Sequence, residues 1–552
     1  FLLFLIHHNY IQNLSECRYN IFMEQLTEDE VNSLIELYQS GDLEKAKSEA
    51  ENLLSKSPNE LVVLNIFGVI QDGLGQHEKA IDTFKRAIEI NPNSPETYFN
   101  MGSVLHRLHR NEEAKKNYEK TINLKPDFAN AYYNLGLVFQ NLQDYKKAVQ
   151  NHEKAIKLQP NFHGAVGAIG SILQLEGKLD EAIENYKKAI SIQPNEINHY
   201  NLATGLRNQG SLDEAIREFY KSLSFNENSP LVLTELGHAL WHKGKTQEAF
   251  EKLKKAVKID SAHPKANYNL AEFLNDNNEL EKALNLYQTA KIYDWQERSL
   301  YCLYKTKQYD KFKSELNTII KNKKNDSPFL ATLSKHFAIN FKKNDQYNFC
   351  SSPLDFSVHM SIKELTEPDN PLLKELLKDI QKEEISKRTQ SRLHHGTQSS
   401  GNLFKRPENS FKKLSKLISK TIQDYYEQNK DKDKKSVFVS QFPKKIEFNS
   451  SWYVKMQSGG HLDSHIHEEG WVSGSVYLSI PKEKKDPNEG AIELSLHGDN
   501  YPKKHNNFPT KVYTVEVGDV VFFPSSVFHR TIPFSSNEER ICIAFDVKPK
   551  SV

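Results

Sequence analysis

The segment GGHLDSHIHEEGW sets four potential ligands, His461, Asp463, His465 and His467, at alternate positions. On an extended strand, residues i, i+2 and i+4 share one face, so the spacing predicts that these side chains point into one space. A further histidine, His529, follows the apolar run DVVFFPSSVF, and eleven residues later Arg540 opens RICIAFDV. Imidazoles with a carboxylate suit a redox-active divalent metal, and three protein ligands leave coordination positions open. This is the layout of an open iron site, whose free positions take a bidentate 2-oxo acid and dioxygen while an arginine fork receives the acid's far carboxylate. A structural or solvated histidine cluster is the plainer alternative, but it does not account for the order of all five elements.

These residues must be carried by strands. From Ser436 onward the chain reads as short apolar runs: SVFVS, KIEFNSSWYVKMQ, WVSGSVYLSIP, AIELSLH, KVYTVEV, DVVFFPS and RICIAFDV. Turn signals at Gly459-Gly460, Asn488-Glu489-Gly490 and Val517-Gly518-Asp519 separate them. Seven such runs over about 115 residues predict a β-sandwich or jelly roll. Upstream, residues 371–430 are helix-rich and charged, interrupted by HHGTQSSGNLF.

The N-terminal half is periodic. Small residues recur at Gly68, Gly102, Gly136, Gly170, Ala203, Gly237 and Ala271, and an alanine follows each by twelve: Ala80, Ala114, Ala148, Ala182, Ala215, Ala249 and Ala283. A period of 34 residues, once 33, with small residues at two fixed places, predicts a stacked helix–turn–helix array, because bulk there would hold the paired helices apart. Ala46 extends the register back by one unit, and Pro58, Pro92, Pro126, Pro160 and Pro194 close successive units. Phe84, Tyr118, His152, Tyr186, Tyr220 and Tyr287 are the rings expected in the second helices. The units run 27–60, 61–94, 95–128, 129–162, 163–195, 196–229, 230–263 and 264–297, with capping helices over 298–325.

The stretch YYNLGLVFQNLQDYKKAVQNHEKAIKLQP resembles the tetratricopeptide repeat family. Asn100, Asn134, Asn201 and Asn269 sit two positions before the small residue. By resemblance to the arrays of O-linked N-acetylglucosamine transferases, they imply a ladder in the concave groove that hydrogen-bonds an extended peptide backbone. An amide offers a donor and an acceptor, which suits a backbone of varied sequence. Ala168 and Glu235 interrupt the ladder, and tolerated asparagines on a solvated face are the alternative.

A chain of 552 residues exceeds one core, so at least two domains are expected. Lys and Arg number 73 against 72 Asp and Glu, which gives no field for nucleic acid or an anionic membrane. Cys17, Cys302, Cys350 and Cys542 lie far apart, as free thiols of a cytoplasmic protein would. The opening FLLFLIHHNY has six consecutive apolar residues, too few for a membrane span. The first methionine is Met23, and residues 1–22 read as an over-long gene start.

Residues 395–548, through HGTQSSGNLF, GGHLDSHIHEEGWVSGSVYLSIP, GDVVFFPSSVFHRTIPF and ERICIAFDV, resemble the 2-oxoglutarate and Fe(II)-dependent oxygenase family. The resemblance implies His465 and His467 as the proximal ligand pair, His529 as the distal ligand and Arg540 as the 2-oxoglutarate anchor, with Tyr477 a lesser candidate for the same carboxylate. Trp471 and Ser473 match the family pattern without an assigned role. His467 departs from the usual two-histidine, one-carboxylate set. Asp463 could supply the carboxylate or orient a ligand, and His461 with Asp463 and His529 forms a rival registry. The expected architecture is a multidomain α + β chain. It comprises an extension (1–26), an all-α superhelix (27–297), a capping linker (298–330), and a double-stranded β-helix or jelly roll with flanking helices (331–552, core strands 436–548). The implied activity is hydroxylation using Fe(II), 2-oxoglutarate and dioxygen, with ascorbate as reductant, on a protein or peptide recruited by the array. A non-catalytic scaffold and a small-molecule hydroxylase are the alternatives, and oligomeric state is not legible.

Overall fold

The computed structural model describes residues 26–322, 326–367, 370–382, 387–388, 392–399, 402–443, 445–468 and 470–548. The readings of residues 1–25 and of Cys17 lie outside the described residues. The chain divides into two compact units, one ending at Ser261 and one beginning at Ala262.

In the first unit, helices alternate in antiparallel pairs from Glu28–Gln39 with Leu43–Lys56 to Pro230–His242 with Thr246–Ile259. The periodic small residues lie where the paired helices touch. A Cβ on Gly68 would stand 2.6 Å from the Phe84 ring, one on Gly136 2.5 Å from the His152 ring, and one on Gly237 2.7 Å from Leu253. The alanines at the second small position, Ala46 among them, are fully buried. The side chain that fills each space lies sixteen residues after the small one. That rule selects Phe219, which is fully buried, over the expected Tyr220, which is exposed.

This packing makes Gly68→Ala a test of the array. Overpacking a close-fitted site costs ~1–3 kcal/mol, whereas replacing a helical glycine returns about 1 kcal/mol. A rigid ring has little room to retreat, so the first term should win. The urea midpoint of the array should fall, and a second change, Phe84→Leu, should restore it. A raised midpoint in Gly68→Ala alone would contradict the packing.

The second unit opens with helices Pro264–Asp276 and Leu280–Ala290, continues the pairing with Trp295–Lys305 and Tyr309–Asn322, and adds Pro328–Asn340. Two antiparallel sheets follow. β1 (Val358–Ser361), β2 (Lys387–Arg388), β3 (Leu393–Ser399), β4 (Glu447–Leu462), β5 (Val472–Ser479), β8 (Asp519–Pro524) and β10 (Arg540–Lys548) form one sheet, ordered β1-β8-β5-β10-β4-β3-β2. β6 (Ile492–Ser495), β7 (Thr510–Tyr513) and β9 (Phe528–Thr531) form the other, ordered β7-β6-β9. Val454, Met456, Tyr477, Val521, Phe523 and Cys542 from the large sheet meet Ile492 and Leu494 from the small one in a single buried cluster. This is the jelly-roll sandwich. Helix Asn409–Asn429 buries Phe411, Leu414, Ile418, Ile422 and Tyr425, a helical stripe. Tyr425 packs on Phe522 at 5.4 Å between ring centroids, on the large sheet's other face.

Two local expectations are corrected. SVFVS is a helical turn, Val437–Ser440, because the Ser436 hydroxyl caps the Val439 amide. Gly459-Gly460 is not a turn between strands but lies within β4, where the pairing with β3 jumps from His394↔His461 to Gly396↔Met456. Among the described residues, no helix is long and apolar enough to cross a membrane, and Cys302, Cys350 and Cys542 are free and buried.

Candidate metal centre

β9 carries His529 directly opposite Leu494 of β6. Past the end of β4, His465 makes an isolated bridge to the same residue, with His465 N donating to His529 O at 3.1 Å and His529 N to His465 O at 2.9 Å. Such a pair of reciprocal bonds sets the two residues side by side across the ladder. His467 completes the group. One ring nitrogen from each of His465, His467 and His529 lies within 4.8 Å of the others. Ring centroids are 4.2 Å apart for His465–His529, 4.6 Å for His467–His529 and 5.3 Å for His465–His467.

The outer nitrogens are largely committed. His465 Nδ1 bonds the Asp463 carbonyl at 2.8 Å, and His467 Nδ1 bonds Asp546 Oδ1 at 2.6 Å and Ser473 Oγ at 3.1 Å. Buried His529 Nδ1 makes no hydrogen bond of good geometry among the described residues, although the Val527 carbonyl lies near enough to favour its protonated form. Burial, then the neighbouring His467, lowers the His465 pKa to about 3. Burial and the two other rings push His529 well below the usual value. Both rings are therefore neutral near pH 7, the form in which imidazole binds a metal. A metal–nitrogen bond is about 2.0–2.1 Å, so small ring rotations close three nitrogens this near around one ion, and the residues fit a metal.

Asp546 was not foreseen. It lies on β10, is buried, and receives His467, Ser473 Oγ at 2.6 Å and Ser450 Oγ at 2.7 Å. Burial alone would raise its pKa, but His467 and these hydrogen bonds hold it below the usual carboxylate range. The signal for it was an acid inside the apolar strand RICIAFDV, which must be paired if buried. Gly470 is part of the same arrangement, since a Cβ there would stand 2.4 Å from Ser525 Oγ and 3.1 Å from Asp546 Oδ1. Trp471 is structural, its Nε1 donating to Phe438 O at 3.0 Å. A carboxylate that orients a ligand histidine typically contributes ~10–100-fold in metal affinity. Asp546→Asn should lose about that much, read by competition with a chelator, while an unchanged affinity would leave Asp546 a packing residue.

Asp463 and His461 do not share the face of His465 and His467, as alternation predicted. β4 ends at Leu462, and the bulge at Gly459-Gly460 breaks its register. The Asp463 carboxylate meets His394 Nε2 at 2.9 Å and lies 3.8 Å from His461 Nε2, so the rival registry with His529 is not assembled.

Along β10, Arg540, Cys542, Ala544 and Asp546 alternate onto one face, because the pairing with β4 is continuous from Arg540 to Asp546. Arg540 is 2 % exposed. Its Nε donates to Gly490 O at 2.9 Å, its Nη1 makes a long contact of 3.7 Å to Cys542 Sγ, and its guanidinium lies 5.1 Å from the Tyr477 ring centre. Gly490 must present that carbonyl at φ +74, a conformation that favours glycine. Among the described residues no carboxylate pairs with Arg540, and the buried Tyr477 hydroxyl finds no acceptor. Tyr477 and Phe523 belong to one apolar cluster, and the Phe523 ring lies 4.8 Å from that of His529.

The helical segments of this unit bond directly to the loops around the site. Arg298 pairs with Glu468 at 2.6 Å, one residue after His467, and Tyr301 donates to Asp499 Oδ2 at 3.0 Å. Of the four asparagines, Asn100, Asn134 and Asn201 belong to the first unit and are half-buried. Asn269, in the second, is buried with Nδ2 lacking an acceptor among the described residues.

Residues 450–546 match the family described as "Putative 2OG-Fe(II) oxygenase". Tetratricopeptide repeat families match 74–109, 108–143, 129–162, 164–196, 200–264 and 240–301. The chain thus joins tetratricopeptide repeats to a domain of that oxygenase family. A search of curated proteins finds no match. Among solved structures, MamA is 27% identical and covers 31% of this chain and 96% of its own, at a TM-score of 0.27. A tetratricopeptide repeat protein from Parabacteroides merdae is 20% identical over 45% of this chain and 98% of its own, at 0.40. The TPR protein TTC0263 of Thermus thermophilus is 21% identical over 33% and 100%, at 0.31.

Proposed function

We propose that the chain is a 2-oxoglutarate- and Fe(II)-dependent oxygenase that hydroxylates a protein or peptide recruited by its repeats. The carrying observation is the pair of buried donors at Arg540 and Tyr477, which have no anionic partner among the described residues. An unpaired charge taken out of water costs several kcal/mol, so a site that keeps one is suited to an anion arriving from solution. The far carboxylate of 2-oxoglutarate satisfies the guanidinium and the hydroxyl together.

His465, His467 and His529 would hold Fe(II). When bound with 2-oxoglutarate and dioxygen, the metal supplies oxidation of an unactivated C–H bond, with succinate and carbon dioxide as coproducts and ascorbate keeping the iron reduced. The Asp463 carbonyl and Asp546 fix the His465 and His467 rings. Three neutral imidazoles leave the metal's charge to be offset by the cosubstrate, with Asp546 contributing at one remove through His467. Leu494, Val521 and Phe523 keep the space between the sheets dry.

The recruitment half of the reading rests on the asparagines and is tested separately. With Asn100, Asn134, Asn201 and Asn269 all replaced by alanine, partner capture should weaken, each lost neutral hydrogen bond contributing roughly 0.5–1.5 kcal/mol. Substrate-free succinate formation should be unchanged. The readout is mass spectrometry for hydroxylated residues on captured proteins. Identical captured and hydroxylated sets from both proteins would reject the ladder and favour a small-molecule substrate.

A further inference from the structure

The rival ligands excluded from the inner cluster form a group of their own. His394 on β3 and His461 on β4 are directly opposed in the ladder, their rings stacked with centroids 4.3 Å apart and planes at 14°. Asp463 follows the end of β4, with its carboxylate 2.9 Å from His394 Nε2 and 3.8 Å from His461 Nε2. One ligand atom from each of the three lies within 4.8 Å of the others. His461 Nδ1 is engaged by the Gly459 carbonyl at 3.1 Å, which leaves Nε2 as its ligating atom. The backbone is bent to make this group: His395, next to His394, takes a left-handed φ of 47°, and Gly459 takes 78°.

We infer that His394, His461 and Asp463 form a second metal site, separate from the inner histidines and open to solvent, for a divalent first-row transition ion. Two imidazoles and one carboxylate favour such an ion over magnesium or calcium, which take oxygen ligands. The three side chains are between 31% and 54% exposed, so an ion enters without rearranging the core. Bonds of about 2.0–2.2 Å set ligand atoms ~3–4 Å apart, a distance these exposed side chains reach by rotation.

The test is a titration of tag-free, full-length protein with cobalt(II) alone, counting bound equivalents after gel filtration and following the visible ligand-field bands. The wild type should hold two equivalents. His394→Ala should hold one, with the weaker site's apparent Kd raised beyond the ~10–100-fold typical of losing an outer-sphere partner. Asp463→Asn, a near-isosteric change on an exposed side chain, should behave the same way and guards against misfolding of the alanine variant. His467→Ala should lose the other equivalent and keep this one. A wild type that binds one equivalent, with His394→Ala and Asp463→Asn indistinguishable from it, overturns the outer site and leaves the inner one standing.

Discussion

In a His394→Ala background, which removes the outer group, His467→Ala should bring iron content to background under conditions where His461→Ala keeps it. Removing one of three ligating imidazoles takes a bond directly from the metal, whereas the ~10–100-fold cost of losing an outer partner leaves a measurable site. His461 lies with His394 and Asp463, away from the cluster of His465, His467 and His529. Its loss should therefore touch only the outer group. The measurement is Fe(II) retained after anaerobic desalting, with near-ultraviolet circular dichroism to check that the sandwich is intact. The opposite order of severity would move the iron to His461 and Asp463.

Arg540→Ala should raise the 2-oxoglutarate requirement at least ~10-fold, about 1.4 kcal/mol, with iron content unchanged. The guanidinium is buried and lacks a carboxylate partner among the described residues, so its removal relieves a desolvated charge and should not unfold the domain. Arg540→Lys keeps the charge but loses the planar fork, and should fall between wild type and alanine. Iron lost with cosubstrate affinity intact would show that Arg540 supports the metal instead.

The repeats were legible because their packing is local and periodic: Gly68 faces Phe84, Gly102 faces Tyr118 and Gly136 faces His152 at one fixed separation. The single 33-residue step explains the misplaced ring at Tyr220, since the residue sixteen after Ala203 is Phe219, which is fully buried. In the sandwich, the strands around His529 and Arg540 could be read from apolar runs. Asp546 could not be tied to His467, because 79 residues separate them and only the pairing of β5 with β10 brings Ser473, His467 and Asp546 together. The alternation across His461, Asp463, His465 and His467 misled for a physical reason. It assumed one unbroken strand, whereas β4 bulges at Gly459-Gly460 and stops at Leu462, sending the first two ligands to one place and the last two to another.

If iron and 2-oxoglutarate meet at His465, His467 and His529, with Arg540 holding the far carboxylate, an anaerobic titration of Fe(II)-loaded protein with 2-oxoglutarate, followed by visible absorption, reads the complex directly. A saturable charge-transfer band should appear in the wild type, require higher 2-oxoglutarate in Arg540→Ala, and vanish in His467→Ala. Iron that binds in stoichiometric amount yet gives no band with saturating 2-oxoglutarate would contradict the account.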